Sequence, residues 1–190
     1  MENQSKTPGI KRVTVFGGAS PRPGELPYLE AEHLGSLLGR AGLTVINGGY
    51  IGTMEAVSKG ASLAGGHVIG VTCKEIESWR NVGANPYVQE EIRCDTLMDR
   101  LNVLVHECDA AIALPGGVGT LAEILLLWNL LVIHAIPSKP LILVGEGWKA
   151  VLSAFFNHCN EYSPANQRAL LSLVPDVAAA FEIILHANEH

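Results

Sequence analysis

Short apolar runs alternate with longer amphipathic segments along most of the chain. The runs are rich in β-branched residues and end at glycine, proline or polar positions, which predicts buried strands. The predicted strands are 12–16, 43–46, 67–71, 110–114 and 140–144. Between them, apolar side chains recur at three- and four-residue spacing, as at Leu34, Leu38 and Ala41, which predicts amphipathic helices.

The predicted helices follow the strands in regular alternation. They cover 27–41, 53–64, 96–106, 120–134 and 148–158, and a last strand and helix fall between 170 and 186. The mixed, polar stretch 73–92 predicts a long loop with a helical turn. Strands that alternate with helices imply right-handed βαβ units. The sequence therefore predicts an α/β fold, a single Rossmann-like doubly wound parallel sheet with helices on both faces, over residues 11–190 after a flexible N-terminal tail at 1–10.

Composition and charge exclude several classes of protein. The chain has 190 residues and a net charge of -6, and its longest basic run is Lys11-Arg12, so a nucleic-acid groove is not expected. The most apolar stretch, 124–136, is too short to span a bilayer, and the polar N-terminus has no signal-peptide core. The cysteines at 73, 94, 108 and 159 lack the spacing of zinc ligands. We therefore expect a cytoplasmic protein with reduced thiols and no metal.

Glycine pairs mark the ends of three predicted strands. Because the carboxyl ends of parallel strands meet at one sheet edge, where open α/β folds bind ligands, these turns should lie together. A strand order of 3-2-1-4-5 would place the reversal between the first and fourth predicted strands. Glycine permits close backbone approach, and a helix start offers free N–H groups to phosphate, although any of these glycines could simply form a tight turn. The predicted phosphate- and nucleotide-binding residues are Gly17, Gly18, Ser20, Gly48, Gly49, Gly116, Gly117, Gly119 and Thr120.

Two familiar nucleotide motifs are absent from the sequence. No G-x-x-x-x-G-K-[ST] occurs, which argues against a P-loop NTPase. No G-x-G-x-x-G follows the first strand, which leaves a dinucleotide cofactor without support.

The segment 115–123, PGGVGTLAE, carries a family resemblance. It resembles the P-G-G-x-G-T-x-x-E signature of the Lonely Guy (LOG) family, formerly described as lysine decarboxylases. The turn at 48–54, the Gly65-Gly66 pair, Arg100 and Lys139-Pro140 extend the likeness over most of the chain. The resemblance implies a cofactor-independent, dimeric hydrolase that cleaves the N-glycosidic bond of a nucleoside 5′-monophosphate, either AMP or a cytokinin-type nucleotide, to free base and ribose 5-phosphate.

Arg100 and Glu123 match the catalytic pair of the family. A carboxylate can stabilise an oxocarbenium-like ribose and activate water, and an arginine can orient phosphate or ribose oxygens. Considered alone, Glu123 could be an acid that complements a helix dipole, and Arg100 an exposed helix charge. Ala122, the segment 97–101 and Tyr50 depart from patterns common in the family, and Tyr50 could either narrow the pocket or serve in packing.

Other functions and the assembly state follow from the same residues. Molybdenum-cofactor carrier proteins have a similar fold and phosphate loop, so a non-catalytic carrier is the alternative function. The lysines at 59, 74, 139 and 149 lack the acidic context of a pyridoxal-phosphate site. The predicted helix at 120–134 is apolar nearly all round, which predicts a homodimer.

Overall fold

Seven parallel strands form one sheet in the computed structural model, which describes residues 9–188. The strands are β1 (Arg12–Phe16), β2 (Thr44–Asn47), β3 (Val68–Cys73), β4 (Glu90–Cys94), β5 (Ala110–Ala113), β6 (Leu141–Val144) and β7 (Leu171–Val174). Their order is β4-β3-β2-β1-β5-β6-β7. The order therefore reverses between β1 and β5, which confirms the predicted doubly wound sheet and the position of its switch point.

Helices cover both faces of this sheet. They are α1 (Leu26–Arg40), α2 (Thr53–Leu63), α3 (Lys74–Arg80), α4 (Leu97–His106), α5 (Val118–Val132), α6 (Glu146–His158), α7 (Ala165–Arg168) and α8 (Val177–Ala187). One apolar core joins α1, α2 and α8 to the sheet, and a second core joins α4, α5 and α6 to the opposite face. The central strands are buried on both faces, so they consist of continuous apolar runs rather than alternating patterns.

The prediction of a long loop with a helical turn at 73–92 is correct for the helical turn and for the irregular stretch 81–89, but it is wrong in missing a strand. The segment contains α3 and leads into β4, an edge strand that pairs with β3 from Ile69 to Cys73. The β4 sequence EEIRC buries only Cys94 fully, because one side of the strand faces solvent. An edge strand with charged residues protects the sheet against pairing with other chains, and the same charges remove the apolar signal that identifies a strand.

Most of the predicted tail, residues 1–8, lies outside the described residues. Ile10 is buried, and its N–H donates to the Asn188 side chain at 2.5 Å, so the beginning of the described chain packs beside the end of α8.

Candidate functional site

Three loops meet at the carboxyl edge of the sheet and are joined by backbone hydrogen bonds. The Gly18 N–H donates to Pro115 O at 3.2 Å, and the Thr53 N–H donates to Gly18 O at 2.9 Å. A side chain at Gly17 would overlap Thr53, and one at Gly52 would approach Gly18 O at 2.5 Å. These contacts bring the loops after β1, β2 and β5 together, as the glycine pattern predicted.

The loop 115–120 presents backbone N–H groups to solvent at the start of α5. Gly117 is the N-cap residue and provides no side-chain cap, so the first N–H groups of the helix stay open to a ligand. A Cβ at Gly117 or Gly119 would meet no atom within 4 Å, whereas a Cβ at Gly116 would overlap the Thr120 hydroxyl. This geometry, with the positive end of the helix dipole, is suited to binding a phosphate group.

Arg100 and Glu123 form a buried ion pair between α4 and α5. Only 5% of Arg100 and 7% of Glu123 are exposed, and Arg100 Nη1 lies 3.5 Å from Glu123 Oε1. The Arg100 Nε–H also donates to Val71 O at 2.7 Å, at the end of β3. Burial raises the pKa of Glu123 from 4.5 to about 7, although the Arg100 charge opposes this shift. Glu123 can therefore accept or release a proton near neutral pH.

The turn after β2 forms a wall beside this pair. A Cβ at Gly48 would overlap the Arg100 guanidinium and would lie 2.6 Å from Met54 Sδ. The Tyr50 ring centroid lies 5.6 Å from Arg100 Cζ, and its hydroxyl bonds the backbone of Cys73. Arg100 thus occupies a space that exists because residue 48 is glycine.

The other predicted site residues have different surroundings. Gly49 has a φ of 76°, which favours glycine, and its N–H donates to the buried Asn47 side chain at 2.8 Å. Ser20 is exposed and lines a pocket of about 530 Å³ between the loops after β1 and β2, together with Arg22, Ile51 and Glu55. Gly49 therefore shapes the turn, and Ser20 borders a neighbouring pocket rather than the Arg100–Glu123 pair.

Sequence reasoning missed two residues that hold this edge together. The buried Asn85 side chain donates to Gly49 O and Tyr50 O, both at 3.0 Å. Trp148 donates through its indole N–H to Leu114 O at 3.0 Å, just before the loop 115–120. Neither residue belongs to a recognisable motif, because Asn85 lies in an irregular polar loop and Trp148 in an ordinary amphipathic helix.

Between residues 9 and 188, no three or more His, Cys, Asp or Glu side chains cluster in a way that could hold a metal ion. Over the same residues, no helix has both the length and the apolar content needed to cross a bilayer. The lysines at 59, 74 and 149 form ion pairs, and Lys139 donates to backbone oxygens at the end of α4.

The fold and this edge define a class of protein, the doubly wound α/β proteins with glycine-rich loops at the switch point. Within that class, the model of the family described as "Possible lysine decarboxylase" matches residues 54–184. A probable cytokinin riboside 5′-monophosphate phosphoribohydrolase from Oryza sativa subsp. japonica is 33% identical over 86% of this chain and 67% of its own length. The chain therefore belongs to the LOG family.

Further similarities concern one more curated relative and two solved structures. A cytokinin riboside 5′-monophosphate phosphoribohydrolase from Mycobacterium tuberculosis is 38% identical over 62% of each chain, so the match spans less than two thirds of that relative. The molybdenum cofactor binding protein of Rippkaea orientalis is 25% identical, with a TM-score of 0.72 over 93% of this chain and 96% of its own. The molybdenum cofactor carrier protein of Chlamydomonas reinhardtii, 24% identical with a TM-score of 0.70 over 95% and 99% of the two chains, shares the fold.

Proposed function

We propose that this protein is a hydrolase that cleaves the N-glycosidic bond of a nucleoside 5′-monophosphate, releasing the free base and ribose 5-phosphate. The observation that carries this proposal is the buried Arg100–Glu123 pair at the switch point, in which Glu123 belongs to α5, the helix that starts at the open loop 115–120. Membership of the LOG family supports a hydrolase of this kind.

In this proposal the phosphate binds to the start of α5. The open N–H groups around Gly117 and Gly119 would donate hydrogen bonds to its oxygens, and Thr120 follows in the first turn. Glu123 lies one turn further along the same helix, so a ligand fixed by its phosphate would extend its ribose toward the carboxyl group. Gly17 and Gly18 form the opposite wall, because Gly18 lies against Gly116, with 3.3 Å between a Cβ at Gly18 and Gly116 Cα.

Glu123 would perform the chemistry. As the base departs, positive charge develops on the ribose, and the ionised carboxylate stabilises that charge from within a low-dielectric site. The same carboxylate accepts a proton from the attacking water, which a group with a pKa of about 7 can do at neutral pH. Transfer of that proton to the departing base gives the neutral free base and restores the carboxylate. No metal is required for either step.

Arg100 would position the substrate and Glu123. Its hydrogen bonds within the described chain use Nε and one N–H of Nη1, whereas a guanidinium carries five N–H groups. The remaining donors can bind ribose or phosphate oxygens with charge-assisted hydrogen bonds. Arg100 also supplies the positive charge that favours the ionised form of Glu123.

The proposed substrates are AMP and cytokinin-type nucleotides, which differ in the base that is released. Among the family departures, Ala122 is exposed on α5 and Met98 is 60% exposed on α4, while Leu101 is buried in the core. A substitution at Ala122 or Met98 would therefore alter the surface beside the site, whereas Leu101 contributes to packing.

The same surface supports the proposed homodimer. Leu97 and Met98 on α4 and Val118 and Leu125 on α5 are 40%, 60%, 87% and 44% exposed, although the rest of α5 packs largely into the core. Exposed apolar side chains on two adjacent helices are typical of an interface between subunits.

A carrier of a phosphate-bearing cofactor is the second candidate function. It is favoured by the similarity to the molybdenum cofactor binding protein, which extends over nearly the whole of both chains. Such a carrier would use the loop 115–120 to hold a phosphate group and would not need Glu123 for bond cleavage.

Chromatographic detection of free base separates these candidates. The purified protein is incubated separately with AMP, GMP, CMP and isopentenyl-AMP, in parallel with Glu123→Ala and the control Glu107→Ala, which changes an exposed carboxylate before β5 at the opposite sheet edge. We expect release of base by the wild type and by Glu107→Ala, and loss of release with retained nucleotide binding in Glu123→Ala. Binding by calorimetry without release by the wild type would favour the carrier.

A further inference from the structure

Tyr50 is held rigidly between two strand ends. It follows β2 and is 3% exposed. Its hydroxyl accepts a hydrogen bond from the Cys73 N–H at 2.8 Å and donates to Cys73 O at 3.1 Å. Because both bonds go to the backbone of one residue at the end of β3, the ring cannot turn away from its position without leaving two buried polar groups unpaired.

The position of Arg100 depends more on its surroundings than on Glu123. The distance of 3.5 Å between Arg100 Nη1 and Glu123 Oε1 is long for a hydrogen bond. The firm contact of the guanidinium is the 2.7 Å bond from Nε to Val71 O, which fixes only one edge. Arg100 Cζ also lies over the Tyr50 ring, 5.6 Å from its centroid and within the range of a cation–π interaction.

Tyr50 and Arg100 are therefore both held by hydrogen bonds to the backbone of β3. Arg100 binds Val71 O, and Tyr50 binds Cys73, two residues further along the same strand. Gly48 leaves room for the guanidinium on another side. If the ring were removed, Arg100 could tilt about its bond to Val71 and move away from Glu123.

We propose that Tyr50 is a positioning residue that fixes the Arg100 guanidinium at its working distance from Glu123. The inference rests on the proposed hydrolase function, in which Arg100 and Glu123 act as a pair. Tyr50 itself has no proton-transfer role, since its ring and hydroxyl are both engaged by protein groups.

The electrostatic surroundings make the proposal measurable. The Arg100 charge lowers the pKa of Glu123 against the opposing effect of burial. Tyr50 faces the Arg100 charge, Cys73 and Glu77, and burial raises its own pKa, so the phenol stays neutral near pH 7. A displaced Arg100 would therefore raise the pKa of Glu123 without any other charge change at the site.

The experiment is a carboxyl titration combined with kinetics. Protein labelled with ¹³C at the glutamate carboxyl carbon is titrated by NMR, and the Glu123 resonance is assigned by its loss in Glu123→Gln. The variants are Tyr50→Leu, Tyr50→Met as a second aliphatic replacement in case leucine prevents folding, and Tyr50→Phe, which keeps the ring. Tyr28→Leu is the matched control, because Tyr28 is 2% exposed in the other apolar core.

We expect Tyr50→Leu and Tyr50→Met to raise the Glu123 midpoint by about one pH unit and to lower kcat about tenfold, with a smaller change in KM. Tyr50→Phe should retain most of kcat and of the midpoint, and Tyr28→Leu should lose stability with an unchanged midpoint. An unchanged midpoint in both aliphatic variants would overturn the proposal and leave Tyr50 with a packing role. If the wild type releases no base, the proposed hydrolase function fails, but the titration still decides whether Tyr50 positions Arg100.

Discussion

Replacing Glu123 by glutamine should change how the stability of the protein depends on pH. Burial raises the pKa of this carboxyl from 4.5 to about 7, whereas the unfolded chain keeps the ordinary value. Between these two values the folded state binds more protons than the unfolded state, so wild-type stability falls as the pH rises through this window. Above about pH 7 both states are ionised and the loss is complete.

The size of the effect follows from the shift itself. One pKa unit corresponds to about 1.4 kcal/mol, so the ionised carboxylate costs the folded wild type about 3 kcal/mol at high pH. Most of that cost, about 2 to 3 kcal/mol, develops between about pH 5 and pH 8. Glu123→Gln keeps the shape of the side chain and cannot ionise. The difference in unfolding free energy, variant minus wild type, should therefore become more positive by that amount over this range, whatever its value at pH 5.

The assay is urea unfolding at several pH values, followed by tryptophan fluorescence. Trp128 and Trp148 are buried, each 7% exposed, so their emission reports the loss of the core. Glu107→Gln removes one exposed carboxylate far from the site and serves as control. A difference between Glu123→Gln and wild type that stays constant from about pH 5 to pH 8 would refute the assignment of a raised pKa to Glu123.

Other changes test the surroundings of the site and the assembly. Gly48→Ala should displace Arg100 and lower kcat/KM about a hundredfold in steady-state assays, whereas Gly83→Ala, where a Cβ meets open space, should have no effect. Asn85→Ala should lower the unfolding free energy by about 1 to 3 kcal/mol in urea titrations, because Tyr50 O loses its donor and Gly49 O keeps only the backbone N–H of residue 85; unchanged stability would show that water replaces the amide. Sedimentation should find a dimer that Leu125→Asp converts to a monomer, and a wild-type monomer at all concentrations would refute the proposed interface.

The sequence was sufficient to predict the central part of the sheet. β1, β2, β5 and β6 are short and mostly apolar, and runs of this kind are typical of strands that are buried on both faces of a parallel sheet. The order 3-2-1-4-5, taken as a condition for locating the switch point, agrees with the observed order β3-β2-β1-β5-β6. β4 was missed because its exposed edge carries charges, so its pairing with β3 depends on backbone geometry that the side-chain pattern does not reveal.

The candidate site could be predicted only in part. Arg100 and Glu123 lie on separate helices, and the family resemblance, rather than periodicity, predicted that they act as a pair. The orientation of the Tyr50 ring toward Arg100 depends on a hydrogen bond to Cys73, which lies at the end of the neighbouring strand β3. Residue types and spacing cannot specify such an orientation, because it arises from packing among elements that are distant in the chain.

The main-chain hydrogen bonds among the loops after β1, β2 and β5 have a consequence for how this site can evolve. The hydrogen bonds from Gly18 N–H to Pro115 O and from Thr53 N–H to Gly18 O involve only main-chain atoms. The floor of the site therefore survives replacement of the side chains that rise above it. Exposed positions such as Ser20, Ile51 and Val118 can therefore diversify without loss of this backbone framework. A scaffold of this kind allows related proteins to change ligands while the backbone of the glycine-rich loops stays the same.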